Sequence, residues 1–164
     1  MGEIKLPPYE KIVVSFIFRG DSVYGSAEKV FSGKYGEIDY QSPVMDFSHT
    51  DYYEKEMGTG LKRRIISFKK TVPADSLPGL KLFADRIERG FTDSSGNRRV
   101  NIDPGLLSLA KFMLATTKNY SHRPYLGQGI FVEPVLRFIG GKYEPYDWTY
   151  PDYKTPEYLS LIHI

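Results

Sequence analysis

Lys11–Phe18 reads KIVVSFIF, a near-continuous run of β-branched and aromatic residues. Such a run has no polar face to leave in water, so it predicts a strand covered on both sides at the centre of a sheet. Downstream, Asp21 or Ser22 is placed to cap a helix whose apolar positions Val23, Ala27, Val30 and Phe31 share one side, with Gly33 and Gly36 available to end it. Glu37–Val44 predicts a second, marginal strand, because Pro43 cannot donate to a ladder. Met45–Gly60 has no clean period and is expected to be a long connection with one helical turn. Leu61–Val72 (LKRRIISFKKTV) predicts a third strand, closed by Pro73.

Ser76–Glu88 carries an apolar helical stripe of Leu80, Phe83, Ala84 and Ile87 before Gly90. Arg98–Asp103 alternates like a half-buried strand, with Val100 and Ile102 on one face. Asp103 as N-cap and Pro104 at the first helical position then predict a further helix through Leu106, Leu109, Ala110, Met113 and Leu114 to about Thr117. Gln128–Ile139 and Lys142–Tyr146 predict a hairpin around Gly140 and Gly141.

The resulting order is β-α-β-β-α-β-α-β-β. Its first six elements are the βαββαβ pattern of a ferredoxin-like sandwich, so the expected class is α+β, with an additional helix and a C-terminal β-hairpin. A small doubly wound α/β sheet is the alternative. The 164 residues fit one domain spanning 1–164, in which 143–164 is a Tyr-, Pro- and Trp-rich tail expected to wrap the rest. Leu159–Ile164 (LSLIHI) closes on apolar residues and reads either as translated adapter sequence, truncated or artefactual after about residue 159, or as a short docked strand.

Apolar residues make up 41% and charged residues 26%, the mixture of an ordinary globular chain. Thirteen Tyr and ten Phe supply large rigid contact surfaces, and each buried Tyr hydroxyl needs a partner. With no Cys, the chain has no disulfide, thiolate metal site or cysteine nucleophile, and a reducing compartment fits it best. Met1–Glu10 lacks a secretory pattern, and no stretch approaches the roughly 18 apolar residues of a membrane span, so a cytoplasmic protein without a membrane partner is expected. A net charge of only +2 means that any anion-binding patch must be local.

Four stretches could carry chemistry. In the loop holding Asp46, His49, Asp51, Tyr52, Tyr53, Glu54 and Glu56, followed by Lys62, Arg63 and Arg64, carboxylates could hold a magnesium-like ion beside an anion bound by the cations. The plainer alternative is a solvated turn with ion pairs such as Asp51 with Lys55. Asn101 and Asp103 sit where a helix would begin near Arg98 and Arg99, so Asp103 is either a cap or a metal-bridging, catalytic carboxylate.

The third stretch, TTKNYSHRPYLGQG (116–129), combines Thr116, Thr117, Lys118, Ser121, His122 and Arg123 with flexible glycines, the groups a phosphate or carboxylate pocket needs. His122 is its natural acid or base near neutral pH. Cations offsetting the end of a helix would account for it more simply. In the fourth, YDWTYPDY (146–153), Trp148 and Tyr150 could stack a base or sugar, or form an aromatic clasp pinned by Pro145, Pro151 and Pro156.

Standard signatures are missing. Gly20 and Gly25 have the interval of a phosphate loop, but Ser26 stands where its lysine must be, and there is no GxGxxG, HExxH or nucleophile elbow. GQGIFVEP (127–134) does not satisfy the aromatic RNA-recognition pattern.

Four blocks nevertheless form a specific set: FSHTDYYEKEMGTGLKRR (47–64), RRVNIDPGLL (98–107), LATTKNYSHRPYLGQGI (114–130) and WTYPDY (148–153). Together they resemble the motif blocks, including DYYEKEMG and RRVNIDPG, of a bacterial family of small proteins known only as a domain of unknown function. The resemblance covers nearly the whole chain and implies a prokaryotic cytosolic protein, with no activity to carry over. Some members bear a GTP-binding label, which the missing phosphate-loop lysine undermines here. The segment after Tyr158 departs from the family, whose members continue as a charged terminal segment.

The functional expectation is binding or turnover of a phosphate-bearing small anion such as a nucleotide. Lys62, Arg63, Arg64, Lys118, His122 and Arg123 would contact the anion, and Asp51, Glu54 and Asp103 would hold magnesium. The alternative is a non-catalytic RNA-binding or protein-interaction module that uses the sheet and the aromatic tail.

Overall fold

β1 (Glu10–Phe18) takes the central place that KIVVSFIF demands, hydrogen-bonded on both edges to β4 (Lys62–Val72) and β5 (Val100–Leu107) in a computed structural model that describes residues 1–163. The remaining strands are β2 (Ile38–Gln41), β3 (Met45–Asp46), β6 (Lys111–Thr116), β7 (Tyr125–Gly127), β8 (Ile130–Ile139) and β9 (Lys142–Pro145). They complete a nine-stranded sheet in the order β2-β4-β1-β5-β6-β8-β7, with β3 beside β4 and β9 beside β8. All of these pairings are antiparallel, which overturns the doubly wound alternative, since that arrangement needs parallel strands.

Alternation divides β1 between two cores. Ile12, Val14, Phe16 and Phe18 face α1 (Asp21–Tyr35) and α3 (Leu77–Gly90), meeting Tyr24, Phe31, Leu80, Ala84 and Ile87. Phe31 anchors this side, with ring centroids 5.7 Å from Phe68 and 5.4 Å from Phe83. On the other face Val13 lies in a cluster with Phe112, Leu114, Tyr153, Tyr158 and Ile162, and Ile17 lies with Phe47, Met57 and Leu61. Burying each large apolar side chain contributes roughly 1.5–3 kcal/mol, so a strand buried on both faces is the strongest single determinant of the fold. The α1 stripe is shifted from the expected one: Val30 is exposed and Tyr24 is buried, and the helix passes Gly33 to end at Gly36.

The helix expected from Asp103 to Thr117 does not form. Asp103 and Pro104 lie inside β5, opposite Ser15 and Val14 of β1, and the chain then turns at Ser108–Ala110 into β6. Two effects override the capping signal. β5 gains eight register pairs along β1, and Pro104 falls just before the β5–β6 ladder begins at Gly105. The turn contains no Gly, Pro or Asn; the Ser108 hydroxyl closes it by accepting from the backbone N–H groups of Ala110 (3.3 Å) and Lys111 (3.2 Å).

The hairpin at Gly140–Gly141 is present between β8 and β9, with φ of 60° and 83° at the two glycines, values that side-chain-bearing residues rarely adopt. The tail continues as a 3₁₀ turn, Pro151–Lys154, and α4 (Pro156–His163). Over Leu159–His163 the docked-strand reading is therefore corrected to a helix, one that buries Tyr158 and Ile162. Thr155 caps it, accepting from the Tyr158 N–H at 3.4 Å, and Pro156 follows at the first helical position. Ile164 lies outside the described residues. Among the described residues no helix is long and apolar enough to cross a membrane.

Candidate functional site

β5 and β6 pair over three residues only, Gly105 with Leu114, Leu106 with Met113 and Leu107 with Phe112. Beyond Gly105 the strands part: Val100–Pro104 stay on β1, while Ala115 and Thr116 stay on β8. The fork borders a cavity of about 910 Å³, within the range of small-molecule sites. Side chains reach it from both strands, from α3, from the 47–53 loop and from the tail.

A continuous polar chain forms one wall. Glu56, on the one-turn helix α2 (Glu54–Met57), grips Arg98 in a bidentate pair at 2.9 and 2.8 Å. Arg98 also donates to Glu88 (3.2 Å) and Asn101 (2.9 Å), and Asn101 donates to Asp103 at 2.7 Å. Lys81, buried on α3, lies 3.2 Å from Asp85 and 3.5 Å from Asp103, and it donates to the Ile102 carbonyl at 3.2 Å. Burial alone would lower the lysine's affinity for its proton, but Asp103, Glu88 and Asp85 outweigh it and hold its pKa above the ordinary value. Lys81 is thus a fixed cation rather than an amine nucleophile. Burial pushes Glu88 up, while hydrogen bonds from Arg98 hold Glu56 below the usual carboxylate range.

Arg63 stands on the sheet side, buried. Its Nε donates to Ser15 at 2.8 Å, one Nη pairs with Asp152, and the other donates to Tyr153 at 2.8 Å. The guanidinium also lies 4.8 Å from the Tyr153 ring centroid and 5.0 Å from that of Tyr158, so the tail holds it on several sides. Burial raises the Tyr153 phenol well above its ordinary pKa.

On the opposite wall Glu133 of β8, buried, takes Arg123 at 2.8 Å and faces His122 Nε2 at 3.2 Å. Neither Arg123 nor His122 lines the cavity; both reach it through Glu133. His122 stacks on Trp148 at 4.7 Å and Trp148 on Tyr146 at 4.7 Å, while the indole N–H donates to the Pro134 carbonyl at 2.8 Å. The aromatic block therefore functions as a clasp between tail and sheet. Arg123 also donates to the Tyr150 hydroxyl at 3.1 Å.

Of the residues singled out in sequence, Asp103, Arg63, Lys118 and Tyr150 line the cavity, together with Thr116, Thr117, His49, Tyr52 and Tyr53. Lys62 and Arg64 do not, because alternation along β4 turns them away from Arg63; Lys62 pairs with Asp46, and Arg64 donates to the Ser42 carbonyl at 3.0 Å. Asp51, ahead of α2, and Glu54, its first residue, are exposed and off the cavity wall. Among the described residues no group of three or more His, Asp or Glu is placed to hold a metal ion.

Lys81, Glu88 and Glu133 were missed. Their signal was present: Lys81 and Glu88 interrupt the buried α3 stripe of Leu77, Leu80, Ala84 and Ile87, and Glu133 interrupts the apolar run IFVEPVLRF. A charge at a core position needs partners and so marks a polar interior.

Tyr53 faces this assembly from the loop, and its hydroxyl has no hydrogen-bond partner among the described residues. Burial first, and then the Asp103 charge, raise its pKa, so the phenol stays protonated. Tyr52 at the mouth accepts from Lys118 Nζ at 2.7 Å, and that contact lowers its pKa. Five basic side chains (Arg63, Lys81, Arg89, Arg98, Lys118) and five carboxylates (Asp85, Glu88, Asp103, Glu133, Asp152) border the cavity, so its formal charge is balanced.

The architecture is thus a mixed α/β protein built on an open antiparallel sheet, with a polar cavity in a strand fork. The chain belongs to the family described as Domain of unknown function (DUF4416), which matches residues 8–163. No curated protein and no solved structure matches it.

Proposed function

We propose that this protein binds a small phosphate-bearing anion in the fork cavity, with the anionic group at the corner formed by Thr116, Thr117 and Lys118. One observation carries the reading. Arg63, Lys81 and Arg98 are each matched by carboxylates, whereas among the described residues the Lys118 ammonium, exposed at the mouth, meets only the hydroxyl and ring of Tyr52. Its remaining N–H donors and the neighbouring Thr hydroxyls are what a phosphate oxygen requires. His122 and Arg123 serve by orienting Glu133 rather than by touching the anion. A magnesium ion would enter on the ligand's phosphate, with one or two wall carboxylates completing its shell.

The test is thermal stabilisation by inorganic phosphate, AMP and ATP, each with and without magnesium. A ligand at 100 times its Kd stabilises by about 2.7 kcal/mol. Stabilisation that Lys118→Ala removes supports the proposal. Absence of any shift at millimolar concentration overturns it, as does salt-sensitive binding of single-stranded RNA that quenches Trp148, which would favour the nucleic-acid alternative.

We also infer that β1, α1, β2, β4, α3 and β5 constitute a ferredoxin-like unit. The order β2-β4-β1-β5, with every pair antiparallel and both helices on the core that holds Phe16 and Ile102, supports this. A cytoplasmic location is the reading that the cysteine-free composition favours.

A further inference from the structure

Asp103 has unused capacity. Its two oxygens take Asn101 at 2.7 Å and Lys81 at 3.5 Å, whereas an ionised carboxylate offers about four lone-pair sites, and 28% of its side chain remains accessible at the cavity. Only a donor can use those sites. A cationic donor is disfavoured by the neighbouring Lys81 ammonium, which leaves neutral donors such as hydroxyls. Tyr53, protonated and with a hydroxyl that has no hydrogen-bond partner among the described residues, is a second group near Asp103 that can bond to a hydroxyl oxygen.

The cavity's balanced charge bears on the anion. With five cations against five carboxylates there is no surplus to offset the several charges of a polyphosphate, whereas the Thr116–Lys118 corner suits one phosphate group.

From this we infer that the cavity's ligand is a hydroxyl-rich monophosphate, of the sugar-phosphate or ribonucleoside monophosphate kind, whose hydroxyls are read by Asp103 and Tyr53. The inference rests on the cavity being an anion site at all, as proposed above.

Calorimetric titration at fixed ionic strength tests it, with AMP, ribose 5-phosphate, 2′-deoxy-AMP, 3′-deoxy-AMP, ATP and inorganic phosphate as probes. AMP or ribose 5-phosphate should bind at least about tenfold more tightly than ATP. One of the two deoxy compounds should lose about tenfold or more against AMP, the effect expected of a hydrogen bond to a charged group. Asp103→Ala, with its fold checked by circular dichroism, should erase that difference, and Tyr53→Phe should reduce it.

Because the deoxy comparison deletes the contact from the ligand, it stands even where a variant folds poorly. ATP binding as tightly as AMP, or both deoxy compounds within twofold of it, overturns the inference while Lys118-dependent binding keeps the anion site. A hydroxyl preference that survives Asp103→Ala overturns the assignment to Asp103. No binding by any probe overturns both.

Discussion

Arg63 of β4 and Asp152 of the tail, 89 residues apart, form an ion pair in which neither side chain is more than 9% exposed. It is the electrostatic bolt between the C-terminal segment and the sheet. Removing one partner strands the other as an uncompensated buried charge, which costs about 3–5 kcal/mol. Asp152→Ala is therefore expected to lower the unfolding free energy by that amount in urea titration, and to expose Tyr153 and Tyr158 to solvent. A loss below about 1 kcal/mol would mean that the pair acts like a surface one.

Gly105 sets the point at which the fork opens. A Cβ there would lie 2.4 Å from the Met113 carbonyl oxygen and 2.9 Å from Leu114, closer than backbone and packed side chain permit. Gly105→Ala should cost roughly 3 kcal/mol, at the upper end of ordinary overpacking, because the carbonyl belongs to a neighbouring strand and cannot rotate away. Thermal denaturation measures it. An unchanged melting temperature would show that β6 can shift without cost.

Two carboxyls should respond to pH with opposite sign. The Arg98 hydrogen bonds hold Glu56 below its ordinary value of 4.5, so its contribution is complete above that value and is lost as pH falls through the lowered one. Burial holds Glu10 above 4.5, where the folded state binds the proton more tightly than the unfolded chain does; stability is lost as pH rises through that window. In stability measurements from pH 3 to 7, Glu56→Gln should be destabilising by about 2 kcal/mol at neutral pH, with the difference shrinking in acid. Glu10→Gln should be neutral or stabilising at pH 7, since one Glu10 oxygen is buried without a hydrogen-bond partner among the described residues. Parallel pH profiles for both variants and the parent protein would contradict these signs.

The elements legible in sequence are those whose period agrees with their burial. KIVVSFIF, the α3 stripe and the Gly140–Gly141 hairpin each carry a local pattern that the tertiary structure reinforces. The same capping chemistry misled at one place and went unread at another. Asp103–Pro104 looks like a helix start but is absorbed into β5 by pairing with β1, whereas Thr155–Pro156 has no strand to join and begins α4. Leu106, Leu109, Ala110, Met113 and Leu114 can be read with a helical period, yet Phe112 and Leu114 are buried while Lys111 is exposed, the alternation of β6. No sequence rule announces a turn closed by Ser108. For the site, residue types were legible but facing was not. Arg63 and Arg64 are adjacent and chemically equal, and only strand register decides which one meets the cavity. The carboxylates that match the cations come from distant elements, so the balanced charge could not be read locally.

Glu133 couples the cavity wall to the aromatic clasp. Its carboxylate faces His122 at 3.2 Å and Arg123 at 2.8 Å, and His122 stacks on Trp148, the one tryptophan in the sequence. Glu133→Gln keeps the shape but removes the charge that compensates Arg123, whose side chain is only 10% exposed. A loss of about 2–4 kcal/mol is expected from the guanidinium left without its counter-charge. The local readout is Trp148 emission, which should change because the imidazole that covers the indole loses its anchor. Destabilisation with an unaltered Trp148 spectrum would separate Glu133 from the clasp and leave it only the Arg123 pair.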